Sequence, residues 1–180
     1  MKKICTILCA ALMSMSVMAG EHEIGAIVGG LNGVSYKYWF TDQLAVQADL
    51  AVGLTQAASG LKDLEGKYQV YDFSMYDFTL NPNFLYHIAL PADVKLYAGG
   101  GFNIGFMNSP IDNTYAENLA GKFGANAIIG AQYNISGVPL SLSLDFRPGY
   151  GLGFKSYENN HMEHFNFFDW KLGFAVRYCL

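Results

Sequence analysis

The sequence predicts an all-β chain that folds as one eight-stranded antiparallel barrel and crosses a membrane with its strands. Three observations carry this. The stretch Phe168 to Tyr178 alternates strictly, with Phe168, Trp170, Leu172, Phe174, Val176 and Tyr178 on one side. Asp169, Lys171, Gly173, Ala175 and Arg177 fall on the other. Strand side chains change face with period two, so one face is wholly apolar and the other charged or small. Such a strand is long enough to cross a hydrocarbon layer when tilted, which takes about 9–11 residues. The second observation is the start of the chain. Met1-Lys2-Lys3 precedes the apolar run Ile4 to Val17, and Val17-Met18-Ala19 carries small residues at the spacing of a signal-peptidase site. This predicts a secretory signal peptide over residues 1–19 and a mature barrel domain over 20–180. The third is the spacing of the connections, which are alternately short and long.

The strands follow in order. Glu23 to Gly30 is a short, Gly-rich first strand, joined at Gly30-Leu31-Asn32-Gly33 to a second in which Val34, Tyr36, Tyr38 and Phe40 oppose Ser35, Lys37 and Trp39. Leu44 to Leu54 sets alternate apolar residues against Ala45, Gln47, Asp49, Ala51 and Gly53. Tyr68 to Tyr86 is a long strand whose lower half opposes Tyr76, Phe78, Leu80, Phe84 and Tyr86 to Asp77, Thr79, Asn81 and Asn83. Val94 to Phe106 places Lys95, Tyr97, Gly99, Gly101, Asn103 and Gly105 on its non-apolar side. Phe123 to Ile135 and Leu140 to Tyr150 repeat the pattern, the latter opposing Ser141, Ser143, Asp145, Arg147 and Gly149 to its leucines and aromatics.

Thr41-Asp42-Gln43, Leu90-Pro91-Ala92-Asp93 and Ser136-Gly137-Val138-Pro139 read as tight turns. Between them, Thr55–Lys67, Met107–Gly121 and Lys155–Asn166 read as long polar loops. Short turns at one end and long loops at the other are the build of an outer-membrane barrel, with its turns periplasmic. No water reaches the hydrocarbon layer, so every backbone amide there must be paired inside the protein, and only a closed sheet has no edge. Tyr36, Tyr38, Trp39 and Phe40 at one end, and Phe165, Phe167, Phe168 and Trp170 at the other, are expected to form interfacial girdles.

Composition agrees. The chain is 52% hydrophobic but only 14% charged, against about a quarter charged for soluble domains. Of 11 basic residues two lie in the leader, and with 15 acidic residues the mature chain is net negative, which argues against a nucleic-acid partner. Cys5 and Cys9 leave with the leader, so Cys179 has no intramolecular partner.

With these residues in view, the mature chain resembles the small eight-stranded outer-membrane barrels of the OmpX-like and OmpA-barrel-like group, often called porin family. Its sharpest match is Lys171-Leu-Gly173-Phe-Ala-Val176-Arg-Tyr178, which looks like that group's barrel-assembly signal, displaced by Cys179 and Leu180. The resemblance implies residence in the bacterial outer membrane among lipid and lipopolysaccharide, and handling by the barrel assembly machinery through Lys171, Gly173, Val176 and Tyr178. A surface ligand, if there is one, is unknown.

The expected lumen-lining charges are Lys37, Asp49, Asp77, Lys95, Asp145, Arg147, Asp169, Lys171 and Arg177. Their near-balance suggests ion pairs filling a barrel of this size, whose interior is just wide enough for side chains. The alternative is a charged constriction in a small passive channel, favoured by inward glycines at 99, 101, 105, 124, 130, 149 and 151.

Other motifs carry less. His161-Met-Glu163-His164, near Glu158, has no standard metal-ligand spacing and reads as a solvated loop. Gly99 to Gly105 has no following helix and fails as a nucleotide motif. His87 is expected at the membrane interface and His22 at a frayed end. No G-x-S-x-G elbow or serine–histidine neighbour is present, so no enzyme, cofactor or metal is expected; a lipid-modifying barrel remains an alternative by precedent.

Overall fold

The computed structural model describes residues 21–62, 68–108, 119–156 and 162–180. Eight strands form one closed barrel: β1 His22–Gly29, β2 Leu31–Trp39, β3 Leu44–Lys62, β4 Tyr68–Leu90, β5 Val94–Asn108, β6 Leu119–Asn134, β7 Leu140–Ser156 and β8 Met162–Cys179. Every neighbour is antiparallel, and β1 closes against β8. From Glu23 the lateral partners run through Lys37, Gln47, Asn83, Gly101, Asn126 and Gly149 to Asp169. Glu23 itself faces Cys179 on β8, and 179 − 169 gives a shear of 10. A non-zero shear tilts the strands against the barrel axis and fixes the radius together with the strand number.

The barrel is inside-out relative to a soluble one. Phe84, Leu144, Phe102 and Tyr150 are more than half exposed on the outer wall, whereas Arg177 and Lys37 are fully buried. Two aromatics expected in the girdles belong instead to the interior, Trp39 at 4% exposure and Phe167 at 1%. Their parity explains it: Trp39 shares a face with Lys37, and Phe167 with Asp169 and Lys171. His87, expected at the interface, is likewise interior at 1% exposure, on the face of Leu85 and Asn83. His22 is not frayed; it is buried under Tyr36, whose hydroxyl lies 2.7 Å from its Nδ1.

Each of the three expected long loops is strand at one end or both. β3 continues to Lys62 and β4 starts at Tyr68; β5 and β6 reach Asn108 and Leu119; β7 and β8 reach Ser156 and Met162. Outside the hydrocarbon a strand needs no apolar face, so the alternation that marks strands fades there although the pairing persists. The remaining tips, 63–67, 109–118 and 157–161, and the expected signal peptide lie outside the described residues.

At the opposite end the turns are tight. Thr41 Oγ1 accepts from the backbone N–H of Leu44 at 3.0 Å. Ala92 and Asp93 both take positive φ, 64° and 59°, in the tight connection between Leu90 and Val94, which are paired. The first and last strands end together here, with the Leu180 amide donating to the His22 carbonyl at 2.8 Å.

The β1–β2 hairpin is much shorter than the others and turns inside the wall. The Gly30 amide donates to the Leu172 carbonyl at 2.7 Å, two residues from the outward-facing Trp170. Above it Leu54–Lys62 pair only with β4 and Met162–Lys171 only with β7, while β3 and β8 come into contact. The turn groups are satisfied internally: Asn32 Nδ2 donates to the Gly29 carbonyl at 3.0 Å, and the Gly29 amide donates to Asn32 Oδ1 at 3.3 Å. Replacing Asn32 with alanine strands both backbone groups beside lipid. The expected loss is roughly 2–4 kcal/mol of unfolding free energy, read from urea titration of the refolded barrel.

Candidate functional site: the barrel interior

The interior is built from the inward parity of all eight strands, and three sets of polar contacts cross it between strands that lie opposite one another. Nearest the turn end, Lys37 of β2 donates to Gln132 Oε1 of β6 at 2.6 Å. Glu23 of β1 is held without a direct ion pair among the described residues. Its Oε1 accepts from Trp39 Nε1 at 2.8 Å and Gln132 Nε2 at 2.9 Å, and its Oε2 accepts from Ser141 Oγ at 2.9 Å. His87 lies between Trp39 and Tyr97, with ring centroids 4.2 and 5.1 Å away, and its Nε2 is 3.5 Å from Lys37 Nζ. Lys95 lies half-buried with Nζ 4.1 Å from the centre of the Trp39 ring, a cation–π contact at the mouth.

The middle set joins β7 to β3. Arg147 Nη1 donates to Asp49 Oδ2 at 2.5 Å, while its Nε and Nη2 donate to the two oxygens of Asp145 at 2.6 and 3.0 Å. Tyr97 adds a hydroxyl to Asp145 Oδ2 at 3.0 Å, and Gln47 donates to Asp49. The fork of a guanidinium suits two carboxylates at once, which a lysine ammonium matches less well. Arg177, fully buried, donates instead to Ser35 Oγ and Ser143 Oγ, each at 2.8 Å.

The upper set joins β4, β6 and β8. Asp77 Oδ2 accepts from Lys122 Nζ at 2.6 Å and Lys171 Nζ at 2.7 Å, and Asp169 Oδ2 accepts from Lys122 at 2.9 Å. Lys171 lies 3.6 Å from Asp169, which closes the square. Above it the ring of Phe167 lies 4.6 Å from Lys122 Nζ.

Apolar groups fill the intervals. Trp39, Ala45, Leu85, Tyr97 and Ile128 form one buried cluster, and Ile27, Leu31, Ala51 and Ala175 another. The inward glycines are mostly covered rather than open. A Cβ at Gly130 would meet the Tyr97 ring at 2.5 Å, one at Gly151 the Phe167 ring at 2.6 Å, and one at Gly101 the Asn83 amide oxygen at 2.7 Å. Gly101 thereby lets Asn126 reach across β5 to donate to Asn83 at 2.6 Å.

All nine charges expected in the lumen have inward parity; eight are buried and Lys95 is half-buried at the mouth. Asp49, Asp145 and Arg147 come together, as do Asp77, Asp169 and Lys171; Lys37, Lys95 and Arg177 have no carboxylate within salt-bridge distance among the described residues. Sequence reasoning missed Glu23 and Lys122, which complete the lower and upper sets. Both were reachable by extending parity, Glu23 from Gly25 on β1 and Lys122 from Gly124 on β6. With them the interior holds six basic and five acidic groups among the described residues. Of the expected assembly signal, Lys171 and Gly173 face inward, and Val176 and Tyr178 face outward at 39% and 49% exposure. His161 lies outside the described residues, and among those described no group of three His, Cys, Asp or Glu could hold a metal ion.

A closed, inside-out β-barrel with a paired polar interior defines the class, a transmembrane barrel. The family described as "Outer membrane protein beta-barrel domain" matches residues 11–154, and the chain belongs to that family, which places it in the bacterial outer membrane. The fold is shared with the N-terminal β-barrel domain of Pseudomonas aeruginosa OprF, with a TM-score of 0.55 at 16% identity over 89% of this chain and 96% of that one. A major outer membrane protein of Thermus thermophilus aligns with a TM-score of 0.49 at 16% identity, over 91% of this chain and 100% of that one. Outer membrane protein W of E. coli gives 0.48 at 16% identity, with the same coverages of 91% and 100%. No curated protein matches the chain.

Proposed function

We propose that this is a non-conducting, non-enzymatic integral protein of the outer membrane, exported by its signal peptide. Its barrel serves as a rigid anchor for the three long hairpins. The observation that carries this reading is the set of side-chain bridges between opposite strands, β2 to β6, β3 to β7 and β4 to β8. A bridge between opposite walls obstructs the bore in a way that neighbouring-strand pairs do not. Of the glycines that favoured a channel, Gly130, Gly151 and Gly101 are covered by Tyr97, Phe167 and Asn83, which supports the same reading. Function then resides in the hairpins β3–β4, β5–β6 and β7–β8, because segments held out by a rigid scaffold commonly carry it. Contact with lipopolysaccharide, a host surface or another envelope protein fits such an arrangement.

The test is single-channel recording of the refolded protein in a planar bilayer, with heat-modifiable gel migration as the check on closure. The unaltered barrel is expected to stay silent. Regular discrete steps whose size or ion selectivity changes in Lys171→Ala would sink the anchor reading and favour the channel.

A further inference from the structure

The outer wall is not uniformly bulky. Leu96, Ile129, Leu144, Phe146 and Leu172, on β5 to β8, stand around a groove of about 460 Å³ floored by Gly130 and Ala131. Ala131 is small where its outward neighbours are bulky, and the Tyr97 ring lies against the inner side of Gly130. The groove lies toward the turn end. Leu96 is two residues past the start of β5, Ala131 three before the end of β6, and Leu144 four past the start of β7. With the turns periplasmic, this depth belongs to the periplasmic leaflet, whose hydrocarbon is phospholipid.

Charge on the rim selects the headgroup. Among the described residues the turn end exposes Glu21, Asp42 and Asp93, and the basic side chain there, Lys95, turns inward over Trp39. Asp93 lies three residues from Leu96, roughly 10 Å along the strand, the separation of a headgroup from the chain below it. Its Oδ2 accepts from Ser136 Oγ at 2.6 Å, a neutral donor that fixes the carboxylate without cancelling its charge.

We propose that this groove seats one acyl chain of a periplasmic-leaflet phospholipid bearing an amine headgroup, with the ammonium against Asp93. A net-anionic headgroup would meet an acidic rim with no outward base among the described residues. The site is independent of whether the lumen conducts.

The experiment is native mass spectrometry of the full refolded barrel, titrated in detergent with phosphatidylethanolamine or phosphatidylglycerol of identical chains. Gel migration confirms closure of each variant. The unaltered protein is expected to retain one phosphatidylethanolamine about threefold better than phosphatidylglycerol, the scale of an exposed charge pair. Ala131→Phe fills the groove from the lipid side and is expected to cut retention about tenfold. Val52→Phe, on the far wall, is the control for added bulk and should change nothing. Asp93→Asn keeps a residue tolerant of positive φ and should erase the headgroup preference alone. Equal retention by Ala131→Phe and Val52→Phe would overturn the proposal. So would tighter retention of phosphatidylglycerol or of lipid A by the unaltered protein.

Discussion

Arg147→Met is expected to destabilise the barrel by roughly 3–5 kcal/mol, the cost of leaving buried charge uncompensated. The guanidinium is 3% exposed and bonds Asp49 and Asp145 together, so its loss strands two carboxylates inside a closed wall. The sharper half of the expectation is recovery. Adding Asp49→Asn and Asp145→Asn to Arg147→Met removes the stranded charge and should restore most of the lost free energy, because buried ion pairs return little more than their own desolvation. Urea titrations of the unaltered, single-variant and triple-variant barrels decide it. If the triple variant is no better than Arg147→Met, the loss arises from packing of the arginine stem and the electrostatic account of the middle set is wrong. Tyr97 and Gln47 keep a hydrogen-bond partner in the triple variant, since an asparagine oxygen still accepts.

The same residues indicate how much was legible beforehand. Parity along Leu140 to Tyr150 is strict, so Asp145 and Arg147 declare their inward face from sequence alone. Which carboxylate on another strand an inward arginine reaches depends on tilt and shear, properties of the closed barrel rather than of any strand. No periodicity shows that Arg147 crosses to Asp49 while Arg177 ends on Ser35 and Ser143. Aromatic residues misled for a related reason. Trp39 and Phe167 carry interfacial chemistry, but their parity, which is the stronger constraint, turns them inward. His87 follows the same rule beside a turn. The start of β4 at Tyr68 was legible, but the outer ends of β3, β7 and β8 were not, because beyond the lipid the environment no longer writes an apolar alternation into the sequence.

Gly25→Val is expected to prevent closure. The last seam joins β1 to β8, where Gly25 faces Arg177 in a ladder running from Glu23 opposite Cys179 to Gly29 opposite Gly173. A Cβ on Gly25 would run into the backbone of β8 itself, against the Val176 carbonyl oxygen and the Arg177 Cα. Neither is the movable end of a side chain, so relief requires the two strands to separate. Overpacking of this kind costs roughly 1–3 kcal/mol and occasionally more. Separated strands also leave unpaired amides facing hydrocarbon, which the membrane does not tolerate. β1 is eight residues long and its register with β8 covers seven pairs, so few remaining hydrogen bonds can hold the seam against this wedge. Val34→Ala, on the outer face of the adjoining strand at 54% exposure, is the matched control and should close normally. The readout is heat-modifiable migration after refolding into phospholipid vesicles. The glycine variant should run at a single position whether heated or not, and a shifted band like that of the control would mean that the seam yields more than its geometry allows.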